Sequence, residues 1–171
     1  LGLVVSSVVG LSEGVVAQLT IVICFQSLIL DMAGNVGTQS LAVTIRVLMD
    51  ESLTGKQKLQ LVFKEMRIGF CNGLLLGVLS FAVIGLFIFL FKGKTMMFAF
   101  SVSACIGIAL LLAMLISSAV GTCIPLFFKK IHIDPAVASG PLITTVNDLV
   151  AVITFYGLSW LFLIEMLHLA G

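Results

Sequence analysis

Charge is what this sequence has least of. Its 171 residues carry nine Lys and Arg against eight Asp and Glu, a formal net charge of +1, while 60% of residues are hydrophobic. Soluble domains run nearer 45–50% apolar and about 25% charged. A chain of this size cannot hide so large an apolar excess in its own core. A net charge near zero leaves no basic face for nucleic acid. Cysteine is scattered: Cys24, Cys71, Cys105 and Cys123 stand singly inside apolar runs and form no CxxC pair. A disulfide framework, a zinc site and a redox motif are therefore not indicated, and the four read as small packing residues in helices. No nucleophile–base constellation shares one depth in the chain, so no enzyme is expected. The N-terminus has neither a basic region nor a small-residue cleavage site, so no secretory leader is expected there.

What the sequence has instead is long uncharged runs. Residues 14–45, 68–91, 95–128 and 135–164 together hold two charges, Asp31 and Asp148. Each run exceeds the roughly 20 apolar residues that cross a bilayer's hydrocarbon. The runs do not alternate as barrel strands do, which leaves helices. Four full spans are predicted at about 14–46, 66–91, 95–128 and 135–164. A shorter apolar piece, residues 1–11, stops at a turn, Ser12-Glu13-Gly14. It reads as the tail of a span that starts upstream, in a longer protein. The fold class is thus an all-α, polytopic membrane helix bundle of five spans, the first incomplete. At about 1.5 Å per residue the 95–128 run reaches about 51 Å, so a tilt or a kink near Gly121 and Pro125 is expected. In the 68–91 run Gly69, Gly73 and Gly77 recur every fourth residue, a stripe that lets another helix approach closely.

Orientation follows from Lys and Arg in the short loops. Arg46, Lys56, Lys58, Lys64, Arg67, Lys129 and Lys130 fall on one side, and Lys92 and Lys94 on the other. Seven against two places loops 46–67 and 129–134 in the cytoplasm and the C-terminus outside, with the chain multi-pass in the cell membrane.

An ionisable residue in mid-membrane is costly and ordinarily faces a polar cavity or a partner. Asp148 lies near the middle of its span, after Thr144-Thr145-Val146-Asn147. Asp31 opens Asp31-Met32-Ala33-Gly34-Asn35-Val36-Gly37-Thr38-Gln39. No Lys, Arg or His lies at similar depth, so either a protonated, hydrogen-bonded acid or a passing cation accounts for each. The donors are carboxylate, amide, hydroxyl and carbonyl oxygens, which suit Mg²⁺, Ca²⁺ or Mn²⁺. His132 and His168 sit at span ends and read as interfacial. Mg²⁺ dehydrates reluctantly, so a wide polar pore with few carboxylates fits an ion held through its water shell. The Gly34–Gly37 stretch admits two readings, helix carbonyls and Asn35 facing a cavity or polar contacts between helices. Gly140, Thr144 and Asp148 recur every fourth residue and share one narrow polar face. Asp134 before Pro135 reads both as a helix cap and as a cytoplasmic ion site. Glu65 reads as a solvated charge at the membrane edge, and Glu13 and Glu165 as rim charges.

Two of these segments resemble known signatures. Asp31 to Ser40, with Arg46 following, is similar to the second-span signature of the MgtE family of magnesium channels and transporters. Asp134 to Asp148 resembles that family's fifth-span signature, and Lys64-Glu65 with Gly69, Asn72 and Gly73 the start of its third span. The resemblance covers the whole chain as a single transmembrane channel domain, and implies a homodimer in the lipid bilayer with an ion path lined by spans 2 and 5. It also implies an N-terminal cytoplasmic domain and paired CBS regulatory domains, absent from this chain. By motif, Asp148 matches the pore aspartate that binds hydrated Mg²⁺, Asn35 the second-span pore asparagine, and Asp134 an acid at the cytoplasmic regulatory site. Gly140 stands where some members carry an amide, so its contribution as a ligand falls to carbonyl or water.

The function expected is passive conduction of Mg²⁺ into the cytoplasm through a dimeric pore centred on Asp148, with Asp31, Asn35, Asp134, Gly140 and Thr144 as further metal-site residues. Mn²⁺, Co²⁺ or Ca²⁺ are the candidate surrogate ions. The alternative is an H⁺- or Na⁺-coupled divalent cation carrier, whose class also uses glycine-interrupted spans. A third reading is a non-transporting scaffold that dimerises through Gly69, Gly73 and Gly77.

Overall fold

Four long helices carry nearly all of the described chain. The structure, a computed structural model, describes residues 23–50 and 53–169, without the side chains of 50, 137–139 and 163–169. The helices are α1 (Gln26–Asp50), α2 (Gly55–Phe91), α3 (Met96–Lys130) and α4 (Pro135–Leu169). The expected span tail at 1–11, the Ser12 turn and Glu13 lie outside the described residues, as do the side chains of Glu165 and His168. Among the described residues, α2, α3 and the stretch Gly140–Phe162 of α4 are long and apolar enough to cross a membrane. The less apolar α1 carries Asp31, Asn35, Gln39 and Arg46, and its predicted beginning at 14–22 is not described.

The segment 46–67, expected as a loop, is corrected: helix continues to Asp50 and resumes at Gly55. Hydropathy is blind to a helix whose outer turns carry Lys56, Lys58, Lys64 and Arg67. The signal lies in Thr54, whose hydroxyl accepts from the Gln57 N–H at 3.5 Å while the Gln57 side chain accepts from the Thr54 N–H at 2.8 Å. This reciprocal capping box satisfies two backbone donors at the helix start. Thr54→Ala is expected to cost about 1 kcal/mol, read as faster amide exchange over residues 55–60.

The short links 92–95 and 131–134 reverse the chain, so α1 and α3 run one way and α2 and α4 the other. Gly93 supplies the left-handed turn (φ 61°) at the first link, and His132, exposed, adopts φ 60° at the second. All seven cations of the 46–67 and 129–134 segments thereby gather at one end, where the Lys129 ammonium donates to the Leu48 carbonyl at 3.5 Å. At the opposite end the Tyr156 hydroxyl donates to Gln26 Oε1 at 2.7 Å and ties α4 to α1.

At the centre lies α3, which packs against the other three helices. Its Ala99, Ile106, Ala109, Leu110 and Ala113 are fully buried and join Ile29, Ala33, Val152 and Phe155 in one core. The glycine stripe of α2 is spent on this helix. A Cβ added at Gly77 would stand 2.8 Å from the Gly107 carbonyl oxygen, one at Gly107 2.8 Å from the Gly77 oxygen, and one at Gly73 2.8 Å from the Leu111 Cα. Since the stripe is buried within the subunit, the reading of it as a scaffold's dimer surface is overturned. Glu65 needs correction too: it is 1% exposed, buried rather than solvated. It stands four residues before Gly69, on the same inward stripe. Of the cysteines only Cys105 packs inside, whereas Cys24, Cys71 and Cys123 are exposed.

Candidate functional site

The polar residues of α1 are sorted by helical period. Asp31, Asn35, Thr38 and Gln39 are exposed along one face, while Ala33, Val36, Gly37 and Ser40 are buried on the other. The helix runs unbroken through both glycines, which do different work. At Gly34 an added Cβ would meet nothing within 4 Å, so that position opens outward. At Gly37 it would collide with the Asn147 amide, and at Gly121 with the Gly37 carbonyl oxygen. Gly37 and Gly121 thus bring α1 and α3 together at their backbones, and the Asn147 side chain of α4 packs onto Gly37 at the same point.

This crossing sets the depth of every candidate residue. Asn35 lies two residues from Gly37 and Asp148 one from Asn147, within about 3 Å of axial rise of the crossing. Thr144 lies about 4.5 Å from it toward the end where α1 terminates, and Asp31 about 9 Å toward the opposite end. The fold therefore brings Asn35, Thr38 and Asp148 to one level, with Thr144 on one side of it and Asp31 on the other. Asp148 is half-buried and Thr144 exposed. Asn35 Nδ2 donates a long hydrogen bond to Asp31 Oδ2 at 3.5 Å. The hydroxyls are turned back onto their own helices: Thr38 donates to the Gly34 carbonyl at 2.7 Å, Thr144 to that of Gly140 at 3.3 Å and Thr145 to that of Pro141 at 3.0 Å. Their remaining lone pairs face outward as acceptors of hydrogen bonds from water. Pro141 inside α4 leaves a backbone acceptor free, and the Gly140 position is open on its outer side.

Asp134 stands apart, at the end where the cations gather. Its Oδ1 accepts from the Ala136 N–H at 2.9 Å, with Pro135 at the first helical position. That is an N-cap on an exposed residue. Asp134→Ala is expected to remove about 1 kcal/mol of helix-end stability, measurable as a lower thermal midpoint.

Chemically, the face supplies hard oxygen donors only. Among the described residues no group of three His, Cys, Asp or Glu could hold a dehydrated metal ion. One carboxylate, an amide and a hydroxyl at one level, with a second hydroxyl nearby, match a cation that keeps its water shell, since Mg²⁺ exchanges inner waters for protein ligands reluctantly. Sequence reasoning missed Asn147 as a structural element. It is fully buried, and neither its Nδ2 nor its Oδ1 has a hydrogen-bond partner among the described residues. Its place directly before Asp148 was the only signal. The amide is buried while the Asp148 that follows it stays half-exposed.

A protein-family model, MgtE, described as a divalent cation transporter, matches residues 26–158. Over 163 residues, 95% of this chain, identity is 32% with the magnesium transporter MgtE of Bacillus subtilis (strain 168). Identity is also 32% over 163 residues with the magnesium transporter MgtE of Enterococcus faecalis. It is 28% over 162 residues with that of Thermus thermophilus. The matched part is 34% of each relative, so the chain spans about a third of the length of the curated relatives it matches.

Proposed function

Because this chain belongs to the MgtE family of divalent cation transporters, we propose that it forms the ion path of a Mg²⁺ channel. In this reading two copies pair so that the polar faces of α1 and α4 enclose a hydrated Mg²⁺ at the level of Asp148. The observation that carries it is the shared depth of Asn35, Thr38 and Asp148 around the Gly37–Asn147 crossing, on residues left partly or fully exposed in a single copy. The names of the relatives favour Mg²⁺ as the transported ion.

Asp148 supplies the charge that draws the ion in, one carboxylate from each copy. Asn35 Oδ1 and the Thr38 and Thr144 hydroxyl oxygens accept hydrogen bonds from the water shell, which stays on the ion. Two carboxylates suffice to attract a divalent cation without trapping it. Entry into the cell is downhill: about 4.6 kcal/mol per 100 mV for a doubly charged ion. Asp31 forms a second negative level about 7.5 Å from Asp148 along the path. Asp134, at the cation-rich end, serves a regulatory ion on the cytoplasmic side. The seven cations gathered there put that end in the cytoplasm. Sequence in the longer relatives beyond the matched third leaves room for regulatory domains of the kind the family resemblance implies.

Reconstitution into a planar bilayer tests the reading. Single-channel Mg²⁺ currents without any second ion gradient support it, and their loss on replacing Asp148 ties them to this site. Saturable flux that follows an H⁺ or Na⁺ gradient, without openings, establishes the coupled carrier instead.

A further inference from the structure

The exposed side of α2, from its outward face to its seam with α3, carries a feature that the proposed ion path does not use. Near the cation-rich end Gln60, Lys64, Arg67 and Asn72 line an open groove of about 510 Å³, with Phe63 and Cys71 at its sides. Phe63, Arg67 and Cys71 also border a second groove of about 300 Å³, walled by Met66, Phe70 and Leu115. Further along the same α2–α3 surface a third, of about 230 Å³, runs between Leu74 and Phe81 on α2 and Ile108 and Leu111 on α3. Polarity thus changes in one direction, from two cations and two amides to aliphatic and aromatic walls.

From this gradient we infer that the α2–α3 surface binds one anionic phospholipid. Its phosphate lies on Lys64 and Arg67, its glycerol and headgroup oxygens meet Gln60 and Asn72, and an acyl chain follows the apolar grooves. Three observations single out this occupant. Lys64 and Arg67 are three residues apart on one exposed face, and Glu65 between them is turned into the protein, so no acid faces the groove from α2 at this level. Arg67 borders both the groove that holds Gln60, Lys64 and Asn72 and the apolar one walled by Met66, Phe70 and Leu115, as a headgroup contact must. From Arg67 to Phe81 the helix rises about 21 Å, more than the roughly 15 Å of one leaflet's half of the hydrocarbon core. A soluble acidic peptide would match the cations but not the apolar walls beyond them. The inference requires that the chain lie in a bilayer and is independent of which ion it passes.

The test uses the full-length protein in detergent, with dioleoylphosphatidylglycerol and dioleoylphosphatidylcholine as probes and native mass spectrometry as the readout. Wild type is expected to retain one phosphatidylglycerol in preference to phosphatidylcholine. Lys64→Gln with Arg67→Gln is expected to weaken that retention about 30-fold, from the usual contribution of two membrane-surface cations. Lys64→Arg with Arg67→Lys keeps the charge and is expected to keep the lipid. Cys71, exposed in the groove, gives a second reading once Cys24 and Cys123 are replaced by Ser. Phosphatidylglycerol is expected to slow its alkylation by N-ethylmaleimide, and phosphatidylcholine is not. Equal retention of the two lipids, or retention unchanged by the Gln pair, overturns the inference. So do efficient Cys71–Cys71 cross-links, which place a second copy there, and a Cys71 inert with and without lipid, which means protein already fills the groove.

Discussion

Asp148→Ala is expected to lower Mg²⁺ conductance by more than about a hundredfold. An ion that keeps its shell stands about 5 Å from the carboxylate, a metal–water distance of about 2.1 Å plus a hydrogen bond of about 2.8 Å. Across that gap a double charge gains about 1.7 kcal/mol per carboxylate even at the dielectric constant of water. Two carboxylates in a dimer double this, and the lower dielectric of a membrane pore raises it further. Asp148→Asn preserves shape and hydrogen-bonding capacity but not charge, so it is expected to fall with Ala. Asp148→Glu keeps the charge and should retain a measurable fraction of the current. Recording all three in one planar-bilayer system separates charge from shape. Wild-type conductance in the Asn variant would remove Asp148 from the ion path.

Gly121→Ala and Gly34→Ala, the same chemical change, are expected to move stability in opposite directions. At Gly121 the new methyl meets the Gly37 carbonyl oxygen, backbone against backbone, so no side chain can swing aside. α1 and α3 must separate, and the Asn147 amide loses its seat. Overpacking of this kind costs about 2–3 kcal/mol, an expected fall in thermal midpoint of roughly 4–12 °C for a chain of this length. At Gly34 the methyl enters open space, and removing a mid-helix glycine stabilises by about 0.5–1 kcal/mol. Unfolding can be followed by labelling of Cys105, which is buried in the folded chain. Shifts of the same sign in both variants would contradict the crossing described above.

The helices and their order were legible because charge in hydrocarbon is costly, so seventeen charges marked out the runs between them. The polar faces were legible for the same reason: Asp31 and Asp148 stand out against their surroundings. Where hydropathy carries no contrast, the reading failed. The amphipathic start of α2 looked like a loop, although Thr54 and Gln57 already spelled a helix start. Glu65 looked solvated because its neighbours Lys64 and Arg67 are charged. Its spacing of four from Gly69 was the better guide, since the glycines mark the side that meets α3. Gly37 and Asn147 were visible as residues but not as a contact. Their pairing depends on Gly121, more than eighty residues from Gly37 in sequence, and single-sequence periodicity holds no information about such partners.

The four-residue link at 92–95 and the interlocked glycines of α2 and α3 also bear on how the molecule comes to be built. A hairpin of two strongly apolar helices, already closed along its length, can enter the bilayer as one piece before α4 has left the ribosome. Then α4, the least apolar of the three membrane-capable helices, arrives to find the α1–α3 crossing at Gly37, on which Asn147 packs, already standing. The Asp148 side of the path is thus added onto a template and need not face lipid alone during biogenesis.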